Sequence, residues 1–495
     1  MKYISTRDKD AIGVSSAYAI KTGLAADKGL FMPECIPAIT LEEIEALISL
    51  SYPERAAYVL SKYLTDYSFD ELKEDAEGAY SSEKFRAFPA KLTKMTDGTF
   101  MLELWHGPTC AFKDMALQIM PRLFVRALRK CGEDRCALIL VATSGDTGKA
   151  ALEGYRDVDG TKVQVFYPID GVSKVQKLQM QTQTGSNVSV TGIRGNFDDA
   201  QTGVKRIFAD TEYAELLNAE GVFLSSANSI NWGRLVPQIA YYVSAYCDMV
   251  RSGEIKLGEK IDVCVPTGNF GNIFACYLAK LMGTPIEKLI CASNENNVLT
   301  EFLASGVYDR NRAFKTTMSP SMDILISSNL ERLLYVTLGA QKTAEYMKKL
   351  DSEGRYALSD EDFGKIHKDF CGYCTTEAET AKTIKSTFEN KNCLIDPHTA
   401  VAVSATEKYI QENEAERKIL TVSTASAYKL ANDVYTSLTG EKPTDELMAL
   451  DMLSELTGEP IPHPLKDLGN KETLHTSVIE KTEMRATVSN FAKNS

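Results

Sequence analysis

The chain has 495 residues, enough for two or three domains, and its 44% hydrophobic and 25% charged residues supply a large core and an ordinary globular surface. A formal net charge of −12, with acids and bases interspersed, excludes a broad nucleic-acid or anionic-membrane surface but leaves room for a local cluster of donors around a small anion. Apolar runs such as Cys136 to Ala142 are too short to span a bilayer, and Met1 to Ala17 has no apolar targeting core. Eleven scattered cysteines, several in apolar runs (Cys136, Cys264, Cys291), suit reduced thiols in a cytoplasmic protein.

Residues 1–95 read as a mostly helical N-terminal unit without obvious chemistry. A turn at Asp27-Lys28-Gly29 is followed by helical patterns over Leu41 to Ser49 and Pro53 to Leu64. From Phe100 the text changes to short apolar runs, many followed by a turn and a helical pattern. These runs are Ala137 to Thr143, Val163 to Tyr167, Val222 to Ser225, Ile261 to Val265, Leu289 to Ser293 and Ile419 to Val422. Mostly apolar runs alternating with helices predict parallel sheets buried on both faces. The last ~25 residues are polar and predict a surface tail or packing arm.

Within this frame, His106-Gly107-Pro108-Thr109-Cys110-Ala111-Phe112-Lys113-Asp114 places a turn before an apolar helix. Ala116, Leu117, Met120 and Phe124 lie on the face that Lys113 begins, with Pro121 a possible kink two turns on. A lysine there either snorkels to water or stays poorly solvated with a lowered pKa, as a nucleophile toward an aldehyde cofactor requires. Ala142-Thr143-Ser144-Gly145-Asp146-Thr147-Gly148-Lys149-Ala150 follows a strand and opens a helix. It is not a P-loop, because Thr143 replaces the first glycine and Ala150 the final hydroxyl. It suits an anion at a helix N-terminus, or plain capping by Ser144, Asp146 or Thr147.

Pro266-Thr267-Gly268-Asn269-Phe270-Gly271-Asn272 precedes a helix over Ile273 to Met282 and suits a phosphate cup or an empty turn; it lacks the dinucleotide spacing. Ser423-Thr424-Ala425-Ser426 follows a strand, where a hydroxyl faces the ligand crevice of an open sheet or caps a helix. In Ser226-Ala227-Asn228-Ser229-Ile230-Asn231-Trp232-Gly233-Arg234, Arg234 is a candidate phosphate ligand or a surface ion pair. Cys371, Cys374, Cys393 and His398 could hold zinc or be unrelated, the CxxC falling in a stretch readable as helix.

Taken in order, these motifs resemble threonine synthase of the pyridoxal phosphate (PLP) fold-type II group. Tyr3-Ile4-Ser5-Thr6-Arg7, Gly29-Leu30-Phe31-Met32-Pro33 and Asp396-Pro397-His398-Thr399-Ala400 add to a likeness running from residue 3 to about 430. The resemblance implies an α/β fold with two parallel-sheet domains plus the N-terminal domain: residues 96–134 and 236–495 form a large PLP-binding domain, and 135–235 a small substrate domain. It implies that Lys113 bonds to PLP, that Gly268, Asn269, Phe270, Gly271 and Asn272 cradle its phosphate, and that Thr424 faces its ring nitrogen. Thr143, Ser144, Gly145, Asp146 and Thr147 would then bind the substrate carboxylate and neighbouring groups, and Asn231 and Arg234 the substrate phosphate. His398 becomes a structural turn residue, which removes the zinc reading and leaves no metal.

The implied reaction converts O-phospho-L-homoserine and water to L-threonine and phosphate, in a monomer or homodimer with no nucleic-acid or membrane partner. Another fold-type II lyase, such as a threonine or serine dehydratase, and a non-catalytic PLP-binding homologue are the alternatives. Two positions depart from the pattern. Lys149 stands where a small residue is expected and could add a cation near the substrate phosphate. Tyr428-Lys429-Leu430 lies in the closing motif, where relatives often carry His and Pro.

Overall fold

In the computed structural model, which describes residues 1–8, 13–86 and 88–493, two largely parallel sheets stand at the centre of the chain. The six-stranded sheet runs Phe370–Cys374, Ile286–Ser293, Ile261–Pro266, Ile419–Ser423, Thr99–Glu103 and Lys91–Lys94. Its first five strands are parallel, and Lys91–Lys94 closes the edge antiparallel to its neighbour. Leu420 sits between Phe100 and Val263, so its strand is bonded on both sides and buried at every position. The five-stranded sheet is parallel throughout, in the order Val478–Glu480, Val188–Arg194, Thr161–Pro168, Cys136–Ala142, Val222–Ser225.

The expected strands are all present within a few residues, as continuous apolar runs between covering helices should be. Five strands of these sheets lie outside the sequence expectation, one of them Val478–Glu480 in the expected C-terminal tail. Val188–Arg194 and Thr99–Glu103 are less uniformly apolar, and Lys91–Lys94 is polar and half-buried at an edge. The fifth, Phe370–Cys374, holds the CxxC that reads as helix. Its small and aromatic residues fit a pleated edge, and positions three apart on a strand face opposite sides, so Cys371 and Cys374 diverge.

The segmentation also differs from the expectation at two places. Lys91–Lys94, within the expected N-terminal unit, belongs to the six-stranded sheet. Residues 478–493, expected in the large domain, instead complete the five-stranded sheet: Ile479 pairs with Ile193, and Met484 and Val488 of helix Met484–Lys493 are buried in that sheet's core.

The N-terminal helices start with reciprocal caps, Thr40 with Glu43, Ser51 with Glu54 and Ser68 with Glu71. They share one hydrophobic core with both sheets. Tyr3 and Tyr63 flank Trp232 with ring centroids 5.5 and 5.6 Å away. Arg7 makes two 2.8 Å bonds to the Glu331 carboxylate, and Thr6 donates to it at 2.6 Å. Among the described residues no helix is long and apolar enough to cross a membrane.

Candidate active site

Because the strands are parallel, the loops that follow them emerge on one edge of each sheet, where open α/β sheets place ligands. Thr99–Glu103, Ile419–Ser423 and Ile261–Pro266 are neighbours, and they deliver Lys113, Thr424 and the Gly268–Asn272 loop. Cys136–Ala142 and Val222–Ser225 are neighbours in the other sheet, and they deliver Thr143–Thr147 and Asn231–Arg234.

The Lys113 loop is stitched to the chain beyond Ser423. Phe112 N–H donates to the Thr424 carbonyl at 2.8 Å and Ser426 N–H to the Cys110 carbonyl at 3.1 Å. Inside the loop, the Asp114 carboxylate accepts the backbone N–H and the hydroxyl of Thr109, both at 2.8 Å. Gly107 lies so close that a Cβ there would be 2.5 Å from Asp114 Oδ2. Burial pushes the Asp114 carboxyl up to about 7 against these bonds.

A carboxyl raised in the folded state favours folding most below its unfolded pKa, near 3.9, and that advantage is lost as pH rises toward 7. Asp114→Asn should therefore flatten a decline in stability between about pH 4 and 7 that is at most on the order of 4 kcal/mol. Urea midpoints measured across that range test it, and parallel pH profiles in parent and variant would contradict it.

The expected single helix after Lys113 is two helices, Asp114–Leu117 and Met120–Lys130. Pro121 lacks an N–H, and its ring excludes the carbonyl four residues back, so the break falls just before it. The Leu117 carbonyl is accommodated by Gly154, whose Cβ would stand 1.9 Å from that oxygen. Ala116, Leu117, Met120 and Phe124 form the buried face as expected.

Lys113 is 8% exposed. Its Nζ donates to Asp146 Oδ2 at 3.3 Å and to Ser321 Oγ at 3.2 Å, and lies 5.1 Å from the Phe112 ring centroid. Burial lowers the pKa of its amine; Asp146 raises it, and the charges of Arg234 and Lys429 lower it further. The other Asp146 oxygen accepts Lys429 Nζ and Gln176 Nε2, each at 2.8 Å. Burial alone would raise the Asp146 carboxyl, but the ammonium groups of Lys429 and Lys113 hold it well below the usual range. Its geometry is that of a counter-ion between two lysines rather than a ligand for a substrate carboxylate.

Arg234 is the third cation here. It donates to the Ala227 carbonyl at 3.0 Å and approaches Thr147 Oγ1 at 3.5 Å, with no carboxylate in ion-pair range among the described residues. Burial brings its guanidinium down to about 10. Asn231, expected beside it as a phosphate ligand, is fully buried and committed elsewhere. Its Nδ2 donates to the carbonyls of Ile20 and Ser226 at 2.9 and 3.3 Å, and its Oδ1 accepts Gly233 N–H at 2.8 Å. This tie joins helix Ser16–Thr22 to the Arg234 loop. Asn231→Ala leaves buried backbone groups unpaired and should cost about 2–3 kcal/mol of stability, read from urea unfolding; an unchanged midpoint would contradict it.

In the 143–149 loop, Thr143 Oγ1 accepts the N–H groups of Gly145 and Gly148, both at 2.9 Å. It therefore caps helix Asp146–Tyr155, a role open to Ser144, Asp146 or Thr147 on sequence alone. Ser144 is half-buried, and Gly145 has φ +135° with Gln176 packed against its α-carbon. Lys149 does not join the cationic group; it pairs with Glu153 at 3.0 Å and with Gln183. Being four residues along one helix, Lys149 and Glu153 are set to pair locally.

The loop after Ile261–Pro266 is shaped by close contacts. A Cβ on Gly268 would stand 2.8 Å from the Ser321 carbonyl. Phe270, with φ +63°, turns the chain into helix Gly271–Met282. The first helical bond runs from Phe274 N–H to the Phe270 carbonyl, so the N–H groups of Gly271, Asn272 and Ile273 have no helical acceptor. The Asn269 carbonyl accepts Asn329 N–H at 3.1 Å. The Asn272 side chain points inward: its Oδ1 accepts the hydroxyls of Tyr241 and Tyr242, and its buried Nδ2 has no partner among the described residues. Asn272 thus offers the loop its backbone rather than its amide. Thr424 is 6% exposed beside Phe112.

Sequence reasoning missed Gln176 and Ser321 and left Lys429 as an unexplained departure. Gln176 lies in the first turn of helix Lys174–Gln181, after a Gly171 turn that the sequence reading did not single out, and Ser321 lies in the turn Pro320–Met322, away from the strand-to-helix motifs. Both ring nitrogens of His398 are engaged by protein groups. Its Nδ1 bonds Asp396 at 2.6 Å and its Nε2 accepts Ser321 N–H at 3.1 Å.

A family model described as pyridoxal-phosphate dependent enzyme matches residues 91–425, and the two sheets with a buried lysine at their edges define the fold-type II class of such enzymes. A second model, described as threonine synthase N terminus, matches residues 2–80. Threonine synthase of Pseudomonas aeruginosa is 37% identical over 452 residues, covering 90% of this chain and 92% of its own. A crystal structure of PLP-bound threonine synthase from Brucella melitensis superposes with a TM-score of 0.87 at 35% identity over the whole of both chains. Threonine synthase-like 1 of Homo sapiens is 41% identical over 433 residues, covering 85% of this chain but 57% of its own length, so this chain spans little more than half of that relative. The chain belongs to the threonine synthase family.

Proposed function

We propose that the chain is a PLP-dependent threonine synthase that converts O-phospho-L-homoserine and water to L-threonine and phosphate. The observation that carries this reading is the charge balance at the sheet edges. Two buried lysines, Lys113 and Lys429, share one carboxylate, Asp146, while the buried Arg234, whose charge acts on Lys113, has no carboxylate in ion-pair range among the described residues. Buried charge in excess of its counter-ions calls for anionic ligands, and both the family's cofactor and the proposed substrate bear a phosphate.

The residues present fit the cofactor. The N–H groups of Gly271, Asn272 and Ile273 lie at a helix N-terminus without helical acceptors, and Lys113 is a desolvated amine. Gly268, Asn269, Phe270, Gly271 and Asn272 would hold the cofactor phosphate, chiefly through backbone, and Thr424 would face the ring nitrogen. When bound, the cofactor supplies the electron sink that stabilises negative charge beside the substrate nitrogen.

The chain's own groups do the rest. Lys113 Nζ takes the proton from Cα and then assists proton loss at Cβ, as a positioned base and acid. Arg234 receives the phosphate leaving from Cγ, with Thr147 beside it. Ser144 and the N-terminal N–H groups of helix Asp146–Tyr155 suit the substrate carboxylate. Water adds at Cβ.

The test is release of phosphate and threonine from O-phospho-L-homoserine by the purified chain. Equal amounts of both support the reading. Turnover of unphosphorylated threonine or serine instead would move it to a dehydratase, and no turnover with the cofactor held would move it to a non-catalytic homologue.

A further inference from the structure

Ser321 is outside every motif singled out in the sequence, yet its hydroxyl touches the amine on which the proposed function rests. Lys113 Nζ donates to Ser321 Oγ at 3.2 Å, and Ser321 Oγ donates to Asp146 Oδ2 at 3.3 Å, the same oxygen that lies 3.3 Å from Lys113. Lysine, serine and carboxylate close a three-membered ring of hydrogen bonds.

The position of that hydroxyl is held from several sides. Asp396 Oδ2 accepts from His398 Nδ1 at 2.6 Å, which leaves His398 Nε2 as the acceptor of Ser321 N–H at 3.1 Å. The turn Pro320–Met322 is anchored by Asp323. Asp323 accepts from Thr317 N–H at 2.9 Å, Thr317 Oγ1 at 2.7 Å, Asn294 Nδ2 at 2.8 Å and Asn296 Nδ2 at 3.0 Å. From below, the Ser321 carbonyl seats against Gly268, where no Cβ would fit.

A neutral amine has two N–H bonds and one lone pair. Asp146 Oδ2 and Ser321 Oγ are two acceptors, one for each N–H. With both satisfied, the lone pair is directed at neither and faces away from the ring of bonds. We infer that Ser321, placed by the Asp396–His398 pair, is a positioning residue that orients the Lys113 amine so that its lone pair is presented to the reacting carbon. This rests on the reading of Lys113 as the reactive amine and adds to it a second acceptor with a support of its own.

The charged groups facing Lys113 are Asp146 on helix Asp146–Tyr155, Arg234 on Trp232–Leu235 and Lys429 on the turn Ala427–Leu430; the Phe112 ring faces it from its own loop. Of these, Asp146 also accepts from Ser321 Oγ and loses that donor when Ser321 is replaced, while the charges of Arg234 and Lys429 are unaltered. Removing the serine oxygen removes an acceptor that also steadies the protonated amine, so the proton affinity of Lys113 should fall.

The experiment reads that affinity without turnover. The full chain, without added cofactor or substrate, is labelled with an amine-reactive anhydride at a series of pH values, and modification of Lys113 is followed by peptide mass spectrometry. Ser321→Ala should shift the midpoint for Lys113 down by about half a unit to one unit. Ser321→Cys, close in size with a weaker acceptor, should shift it the same way, and Ser321→Thr, which keeps the hydroxyl, should restore the parent profile. Superposed profiles for serine, alanine and cysteine would overturn the inference, as would a threonine variant displaced as far as alanine. Because no reaction is run, these outcomes stand apart from failure of the proposed activity. In turnover, Ser321→Ala should lower kcat about 10-fold and leave KM nearly unchanged; a change confined to KM would count against it.

Discussion

Lys113→Ala is expected to lower kcat for phosphate release by at least about 10³-fold, because in the proposed reaction one side chain would supply both the bond to the cofactor and the proton transfer. Borohydride should fix the cofactor to the parent chain and leave the variant unmodified. The two readouts belong together. The Lys113 amine is held by Asp146 and Ser321 at 3.3 and 3.2 Å, and among the described residues no other lysine hydrogen-bonds Ser321. Lys429 is nearby but is fixed by Asp146 and by the Thr109 carbonyl at 3.0 Å, so it is not placed to substitute. Retention of more than a tenth of parental activity would refute the assignment.

The second large effect has opposite signs in binding and in folding. Arg234→Met should raise KM for the phosphorylated substrate by about 10²-fold, the scale set by losing a charge-assisted contact to a phosphate. The free protein should not be destabilised and could gain about 1 kcal/mol, because a buried cation without a carboxylate partner is relieved. Substrate titration and urea unfolding of the same variant check the pair. A loss of several kcal/mol of stability with unchanged KM would assign Arg234 to structure alone.

Much of this site was legible before the fold was known, for a physical reason. Glycines and small hydroxyl residues at the ends of apolar runs mark strand-to-helix turns, and in a parallel sheet all such turns come out on one edge. Lys113, Thr424, the Gly268–Asn272 loop, the Thr143–Thr147 loop and Arg234 are therefore brought together as their positions imply. Individual side-chain roles were less legible. Asn231 and Arg234 are three residues apart in one motif, yet one side chain is spent on the carbonyls of Ile20 and Ser226 and the other faces Thr147. Thr143 caps a helix, Lys149 turns to Glu153, and the Asn272 amide turns to the tyrosines of helix Pro237–Arg251. The direction of a polar side chain depends on the neighbour that satisfies it, which is 4 residues along the helix for Lys149 and 211 residues away for Asn231.

The sequence by itself determined the class of fold, six of the eleven strands in the two sheets and the family, because apolar runs and turn residues act locally and the motifs fall in a specific order along the chain. The tertiary structure decided the electrostatics: which cations lie buried together, that Asp146 is shared between Lys113 and Lys429, and that Ser321 reaches Lys113 across 208 residues of chain. Desolvation and pairing depend on distance in space, and only the packed structure sets that distance.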